Sequence, residues 1–211
     1  GQGNDGRGPY QVGEHVSLRI SSDENDSDIK PVPTTGNKYY QQYILQDPGS
    51  SYISVHFSNL DVDSSCSMEI TDEDGHQRTV MRGRGRQDLG TFWCRHVEGD
   101  IMILTLKCNG KNKKAEFSID EYVAGYPEGH PATNERKRNL RGAEDPFANL
   151  SRELAICSDD DKQNAVCYQS NYSGEYNKAK AVARLLIGGS AACTGWLVGP
   201  NNMLLTNEHC I

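Results

Sequence analysis

The chain has 211 residues, 36% of them hydrophobic, which is enough for one or two domains with a modest core. With 29 acidic against 22 basic residues the net charge is −7, which excludes a surface built to neutralise phosphate, so no nucleic acid is expected as a partner. Neither an apolar run near the ~20 residues of a membrane span nor a signal-peptide pattern at the start is present, so no membrane partner is expected.

Residues 1–126 are predicted to form a β-sandwich, because short apolar segments alternate with turn residues. Ile101-Met-Ile-Leu-Thr-Leu shows the period of two that is typical of half-buried strands. Asp74-Gly75 and Asn109-Gly110 are turn signals between such segments. The predicted strands are Val12–Ile20, Tyr39–Leu45, Tyr52–Phe57, Ser67–Ile70, Gln77–Met81, Thr91–His96, Ile101–Lys107 and Ala115–Ile119.

The stretch Ser58–Gly75, in which a cysteine precedes a strand and an acidic turn, resembles CUB-type jelly-roll domains together with the late strand Phe117–Tyr122. This loose resemblance covers about residues 50–125. Some CUB domains bind calcium, and the acidic turns offer oxygen ligands without the EF-hand spacing. Calcium is therefore the one ion that these turns could bind, and no other cofactor or metal is expected. The acidic residues in question are Asp61, Asp63, Asp72, Glu73 and Asp74.

Seven cysteines indicate an oxidising compartment, so we expect a secreted, extracellular protein with disulfide bonds. The odd number predicts that at least one thiol has no partner within these residues. Cys94 and Cys108 bracket a predicted hairpin and are the preferred local disulfide. The sequons at Asn25, Asn149 and Asn171 are candidate glycosylation sites, and the alternative is that they are ordinary polar turns.

Residues 127–149 are predicted to be a linker, because proline, glycine and charged residues replace the alternating pattern. Within it, Arg136-Lys137-Arg138 is a candidate processing site that extends to Arg141, and the alternative is a solvated charge run. Arg138-Asn-Leu-Arg141 also matches a secreted-effector motif by its letters alone, but it lies deep in the chain.

Residues 150–211 form a third segment, whose last thirty residues predict three antiparallel strands. A glycine turn and a Gly-Pro-Asn-Asn turn separate these strands, and the last one ends in Thr206-Asn-Glu-His-Cys210. Cys193 lies on a neighbouring strand, where it can bridge Cys210 and close a loop of about 18 residues, worth ~3 kcal/mol. Such a bond would fix the turn that presents His209.

This layout resembles the first strands of chymotrypsin-fold, trypsin-like serine endopeptidases. Cys193-Thr-Gly-Trp-Leu-Val, preceded by Ala181-Val-Ala-Arg and by two cysteines about ten residues apart, is closest to the lysyl and glutamyl endopeptidase branch. The resemblance covers about residues 156–211. It implies that His209 is the general base, supported by a Cys193–Cys210 disulfide, and that the triad aspartate and serine follow later in the chain.

Several features depart from this family. Asn207-Glu208 replaces the small residues that usually precede the histidine, so the basicity of its imidazole is open. Leu186-Ile-Gly-Gly189 lies inside the strand run, which argues against activation by a new amino terminus. The resemblance implies that Cys157 and Cys167 bond to cysteines further along the complete protein.

Other chemical motifs are interpreted as structural. The remaining histidines lack the spacing of a zinc site, Arg82-Gly-Arg-Gly-Arg86 is a turn, and Phe92-Trp93 belongs to the core. The resulting hypothesis is that the chain is the amino-terminal portion of a secreted serine endopeptidase, a hydrolase acting on proteins or peptides. In this hypothesis the β-sandwich is a propeptide or accessory domain. On this hypothesis the chain alone is inactive, and the remainder of the protease domain or another polypeptide pairs with its last strands. The alternative is a non-catalytic protease homologue or truncated product whose sandwich binds a protein or glycan.

Overall fold

The computed structural model describes residues 9–22, 30–31, 38–110, 115–130 and 164–211, and it is an all-β fold of antiparallel sheets. The chain divides into two compact units. The larger unit contains residues 12–128 together with the turn 188–190, and the smaller unit contains the rest. The candidate glycosylation sites Asn25 and Asn149, the processing candidates Arg138 and Arg141, and Cys157 lie outside the described residues.

The larger unit has two five-stranded antiparallel sheets. The strands are β2 (Gly13–Ser21), β3 (Lys30–Pro31), β4 (Lys38–Gln46), β5 (Tyr52–Val62), β6 (Cys66–Thr71), β7 (Arg78–Met81), β8 (Phe92–Trp93), β9 (Val97–Glu98), β10 (Ile101–Asn109) and β11 (Ala115–Gly125). One sheet has the order β3-β4-β10-β6-β7, and the other has the order β2-β11-β5-β8 with β9 also paired to β5.

Both sheets contribute to a single hydrophobic core, as two packed layers do. In β10 the buried residues Met102, Leu104, Leu106 and Cys108 alternate with the half-buried Ile101, Ile103 and Lys107, so the predicted period of two holds there except at Thr105, which is also buried. The fully buried large side chains come from both layers: Ile20, Ile53, Val55, Phe57, Leu60, Met68, Ile70, Met102, Leu104, Leu106, Ile119 and Val123.

Strand β5 departs from the predicted alternation, because Tyr52, Ile53, Ser54 and Val55 are all buried in succession. Polar groups there are satisfied internally: the Ser54 hydroxyl donates to the carbonyl of Cys94 at 3.0 Å. The beginning of β5 is therefore covered on both faces, unlike the half-exposed strand that its sequence predicted, whereas buried and more exposed residues alternate from His56 to Val62.

The predicted strand Thr91–His96 is interrupted. Only Phe92–Trp93 and, further on, Val97–Glu98 pair with β5. Between these two short strands the backbone amide of Val55 donates to the sulfur of Cys94 at 3.3 Å. The acceptor is thus a side chain, whereas in a continuous strand it would be a backbone carbonyl.

The predicted Cys94–Cys108 disulfide is wrong, because Cys108 is bonded to Cys66. Cys66 and Cys108 stand directly opposite each other on β6 and β10, which is a geometry that a cross-strand disulfide requires. Cys94 belongs to the segment beside β5 and keeps a buried free thiol.

The smaller unit contains an antiparallel four-stranded sheet. Its strands are β1 (Tyr10–Gln11), β12 (Val182–Ile187), β13 (Ala191–Val198) and β14 (Met203–Thr206). Strand β13 is central, with β12 on one edge and both β1 and β14 on the other. The three predicted strands are confirmed as β12, β13 and β14, whereas β1 was not predicted. The short helices are η2 (Ala165–Tyr168), α1 (Ser173–Ala179) and η3 (Glu208–Cys210), and the larger unit adds η1 (Arg86–Asp88).

Candidate active site around His209

The end of β14 positions His209. Strand β14 pairs with β13 from Met203 opposite Val198 to Thr206 opposite Gly195. The Thr206 hydroxyl donates to the carbonyl of Thr194 at 2.8 Å, which ties the last residue of the strand to its neighbour. The chain then turns into η3, and His209 is the middle residue of that turn.

A disulfide secures the turn from the other side. Cys210 is bonded to Cys193 of β13, 17 residues earlier, as the resemblance implied. Cys210 is only 2% exposed, whereas the neighbouring His209 is exposed. The bond therefore anchors the turn through its buried residue and leaves the imidazole accessible.

The accessible imidazole faces a cleft within the smaller unit of about 680 Å³. Strand β13 forms one side and the residues before β2 form another. The lining residues are Pro9, Tyr10, Val182, Ala183, Arg184, Ala192, Cys193, Thr194, Asn207 and His209. A general base needs to stand beside a space that holds its substrate, and His209 meets that condition.

No described residue forms a hydrogen bond with the His209 imidazole, and neither a serine nor an aspartate of the described ranges is paired with it. The neighbouring Glu208 is exposed, and the ion pairs of the described residues do not include it. The described part of the chain thus offers the His209 imidazole without the orienting carboxylate and the nucleophile that a catalytic triad also needs.

His209 also lies close to two sulfur atoms, since the ligand atoms of Cys193, His209 and Cys210 are within 4.8 Å of one another. These sulfurs are bonded to each other and so are not thiolates, which are the form of cysteine that binds metals. A single imidazole remains, which is insufficient for a metal centre.

Two carboxylates of the acidic turns proposed for calcium, those of Asp63 and Asp72, accept hydrogen bonds within their own turns. Asp63 accepts hydrogen bonds from the amide and the hydroxyl of Ser65, both at 2.9 Å. Asp72 accepts from the amide of Gln77 at 3.0 Å and from its side-chain nitrogen at 3.2 Å. Among the described residues, none of these carboxylates belongs to a cluster of three potential ligands.

The two unpaired cysteines of the described ranges differ in accessibility. Cys94 is buried, and burial raises the pKa of its thiol to about 11. Cys167 is exposed in η2. Because thiolates are the reactive form, Cys94 is a structural residue and Cys167 is the accessible thiol. The sequon residue Asn171 follows η2 and is exposed, as a glycosylation site has to be.

A second polar group in the larger unit was missed by the sequence reasoning, which treated its histidines as ordinary residues. His15 contacts Glu121 through Nδ1 at 2.9 Å and the Ser190 hydroxyl through Nε2 at 2.8 Å. His56 contacts Asp120 at 2.7 Å in the same way. Both imidazole rings pack near the ring of Trp93, with centroid distances of 5.4 Å and 5.1 Å.

The pairing pattern of β11 explains this group. Its register against both β2 and β5 shifts between Ile119 and Glu121, so the two adjacent carboxylates Asp120 and Glu121 serve different neighbouring strands. Ser190 is only 5% exposed, so its hydroxyl acts as a buried partner of His15. The adjacent acidic residues were the only signal in the sequence.

No helix in the described ranges has the length and apolar character to cross a bilayer.

Comparison with known proteins finds a distant similarity. No family model matches the chain. The chain is 27% identical over 174 residues to Secreted RxLR effector protein 73 of Plasmopara viticola. The alignment covers 80% of this chain and 40% of that protein, so the chain spans less than half of the length of the relative.

Proposed function

We propose that the chain is the amino-terminal portion of a secreted serine endopeptidase of the chymotrypsin type, with His209 as its general base. The supporting observation is the exposed His209 imidazole at a strand end, beside a cleft and next to a disulfide-bonded Cys210. In the proposed mechanism His209 takes a proton from a serine hydroxyl and returns it to the leaving amine. The serine, the aspartate and the oxyanion donors would come from residues after 211.

Exposed apolar side chains in the smaller unit support the proposal that more polypeptide covers this sheet. Strand β14 exposes Met203, Leu204 and Leu205 by 58%, 45% and 49%. Val182 of β12 and Leu197 of β13 are also exposed, by 57% and 46%. Such a cluster is unusual for a surface in contact with water and is typical of an interface. The remainder of the protease domain is its proposed partner.

The larger unit is proposed to be a CUB-like accessory or propeptide domain. Its two antiparallel sheets with one core suit that architecture. The disulfide between Cys66 and Cys108 starts from the cysteine that carried the CUB resemblance. Calcium is not part of this proposal, since Asp63 and Asp72 are engaged in their own turns.

A second function, that of a non-catalytic secreted effector, is favoured by the similarity to Secreted RxLR effector protein 73. The tetrapeptide Arg138-Asn-Leu-Arg141 spells the motif in the name of that relative. In this alternative the larger unit binds a protein or glycan partner, and the strands around His209 have no catalytic role. Both alternatives agree on secretion, which the disulfides also favour.

Labelling with a serine-directed phosphonate separates the two functions. The experiment uses the complete parent protein and compares it with His209→Gln and with His76→Gln, a matched change of an exposed histidine in a turn. We expect labelling of the parent and of His76→Gln, and a loss of at least ~100-fold in His209→Gln, which is the scale of general-base catalysis. Absence of labelling in a parent protein whose Cys193–Cys210 bond is intact would favour the effector.

A further inference from the structure

The amino-terminal segment pairs with the strand that supports His209. Tyr10 stands opposite Ala192 and Gln11 opposite Ala191, in antiparallel register. These partners immediately precede Cys193, whose disulfide leads to the turn of His209. Strand β1 therefore occupies the edge of β13 that lies next to the candidate base.

The same segment also lines the cleft. Pro9 and Tyr10 share its wall with His209, Asn207 and Arg184. Residues 9–11 of this chain therefore cover the edge of β13 and fill part of the cleft that His209 faces.

A sheet edge of this kind binds extended peptides. Main-chain hydrogen bonds supply the affinity and are largely independent of the peptide sequence. A peptide substrate of an endopeptidase has to lie extended past the general base, and Ala192 offers it an amide and a carbonyl group at this edge once β1 leaves. Strand β1 and a substrate peptide would therefore compete for the same groups.

We propose that the edge of β13 at Ala191–Ala192 is the peptide-binding edge of the site and that Tyr10–Gln11 is its intramolecular occupant. The segment acts as an internal inhibitor, and extended peptides bind only after it is displaced or removed. This inference rests on the proposed endopeptidase function.

The direction of the amides allows strand occupancy to be measured separately from activity. The Leu197 amide donates toward β12, to the carbonyl of Ala181 at 2.8 Å. Because successive amides of a strand point to opposite edges, the amide of Cys193 also points to β12 and that of Ala192 points to β1. Ala192 therefore reports the pairing with β1, and Cys193 is its internal control.

Hydrogen exchange in this chain tests the occupancy with Tyr10→Pro, which lacks the amide, and Tyr10→Ala, which keeps it. We expect exchange of the Ala192 amide to accelerate at least about fivefold in Tyr10→Pro, the scale of one backbone hydrogen bond, and to change little in Tyr10→Ala. The Cys193 amide should stay protected in both variants. Rapid exchange of Ala192 in the unaltered chain, or equal exchange in the two variants, would overturn the proposal.

The complete parent protein tests inhibition. We expect Tyr10→Pro to label with a serine-directed phosphonate at least about fivefold faster than the unaltered parent, and Tyr10→Ala to label more slowly than Tyr10→Pro. Equal labelling rates together with the expected change at Ala192 would refute inhibition while leaving the endopeptidase in place. Absence of labelling in every variant would refute the endopeptidase and inhibition together, although the exchange result would still establish the pairing of β1.

Discussion

The imidazole of His15 and the carboxylate of Glu121 meet on neighbouring strands, with Nδ1 2.9 Å from Oε2, although 106 residues separate them in the chain. Both side chains are partly exposed, by 43% and 35%. Water therefore screens their attraction, and the pair is expected to contribute little to stability.

A double-mutant cycle with His15→Ala and Glu121→Ala should give a coupling free energy of about 0.5 kcal/mol. The measurement is urea unfolding of the four proteins at one pH. The matched cycle with His56→Ala and Asp120→Ala is expected to give a similar value, because its contact of 2.7 Å also involves an exposed carboxylate. A coupling free energy above ~2 kcal/mol would contradict the idea of a screened pair.

Replacing both disulfide partners, Cys66 and Cys108, by serine should lower the free energy of unfolding by ~4 kcal/mol, because the bond joins residues that are 42 positions apart in the chain. Denaturant unfolding measures this change. The control Cys94→Ser should leave the Cys66–Cys108 peptide intact in a non-reducing digest. Recovery of a Cys94–Cys108 peptide from the unaltered protein would contradict the structure.

The buried thiol of Cys94 makes the free energy of unfolding depend on pH in the alkaline range. Its pKa is raised from 9.0 to about 11 in the folded state, so the folded protein holds this proton to higher pH than the unfolded chain. The stabilising effect is complete below pH 9.0 and is lost as the pH rises toward about 11. We expect a decrease of ~2 kcal/mol between pH ~8 and pH ~10.5 from this group.

The comparison is between the unaltered chain, Cys94→Ala and Cys167→Ala in urea at both pH values. Cys94→Ala should lose this part of the pH dependence, while Cys167→Ala, which removes an exposed thiol, should retain it. An identical pH dependence in Cys94→Ala and in the unaltered chain would show that another group is responsible.

Acid should weaken the contacts of Glu69. A hydrogen bond from Arg78 holds the pKa of Glu69 below its ordinary 4.5, and Lys107 donates to the same carboxylate at 2.8 Å. A lowered pKa in the folded state gives stability that is present above pH 4.5 and is lost as the pH falls through the folded value.

Glu69→Gln is therefore expected to cost ~1–2 kcal/mol at neutral pH, because it weakens hydrogen bonds to a largely buried carboxylate. The difference from the unaltered chain should shrink as the pH is lowered below 4.5 in urea titrations. Glu73→Gln, at an exposed position in the following turn, is the control with little expected effect. A difference that stays constant on acidification would exclude Glu69 as the titrating group.

Two glycines contrast an uncrowded position with one that is crowded and whose backbone, at φ 74° and ψ −144°, is readily adopted only by glycine. Gly85 and Gly49 both have positive φ, of 74° and 91°. A Cβ atom on Gly85 would overlap the ring of Phe92, whereas one on Gly49 would meet nothing within 4 Å. We expect Gly49→Ala to cost ~1 kcal/mol from the backbone alone and Gly85→Ala ~3 kcal/mol from backbone and ring together. Thermal unfolding of the two variants makes the comparison, and equal costs would mean that Phe92 moves aside freely.

Local patterns in the sequence sufficed for most strands. The alternation in β10 and the turns before and after β13 depend on neighbours within a few residues, and these predictions are confirmed. Strand β5 was misjudged because a single strand does not show what covers its outer face. Strand β1 was missed because its two residues, Tyr10 and Gln11, are too few to show a period.

Partners distant in the chain were harder to predict. Cys108 was assigned to nearby Cys94, since sequence proximity was the only guide, and the true partner depends on β6 pairing with β10. The contacts of His15 and His56 depend on a register shift in β11 that no residue type signals. At the candidate site, Cys193 and Cys210 were matched correctly because short strands joined by tight turns place them on neighbouring strands, and the family resemblance implied the same pair.

The bond between Cys66 and Cys108 has a consequence for the fidelity of folding. Slipping β6 by a single residue against β10 would turn Met68 and Ile70 from the core toward solvent. A covalent link between directly opposed residues excludes that slipped arrangement once it has formed. Oxidation of these two thiols therefore selects the correct strand register, and this selection operates in an oxidising compartment but not in a reducing one.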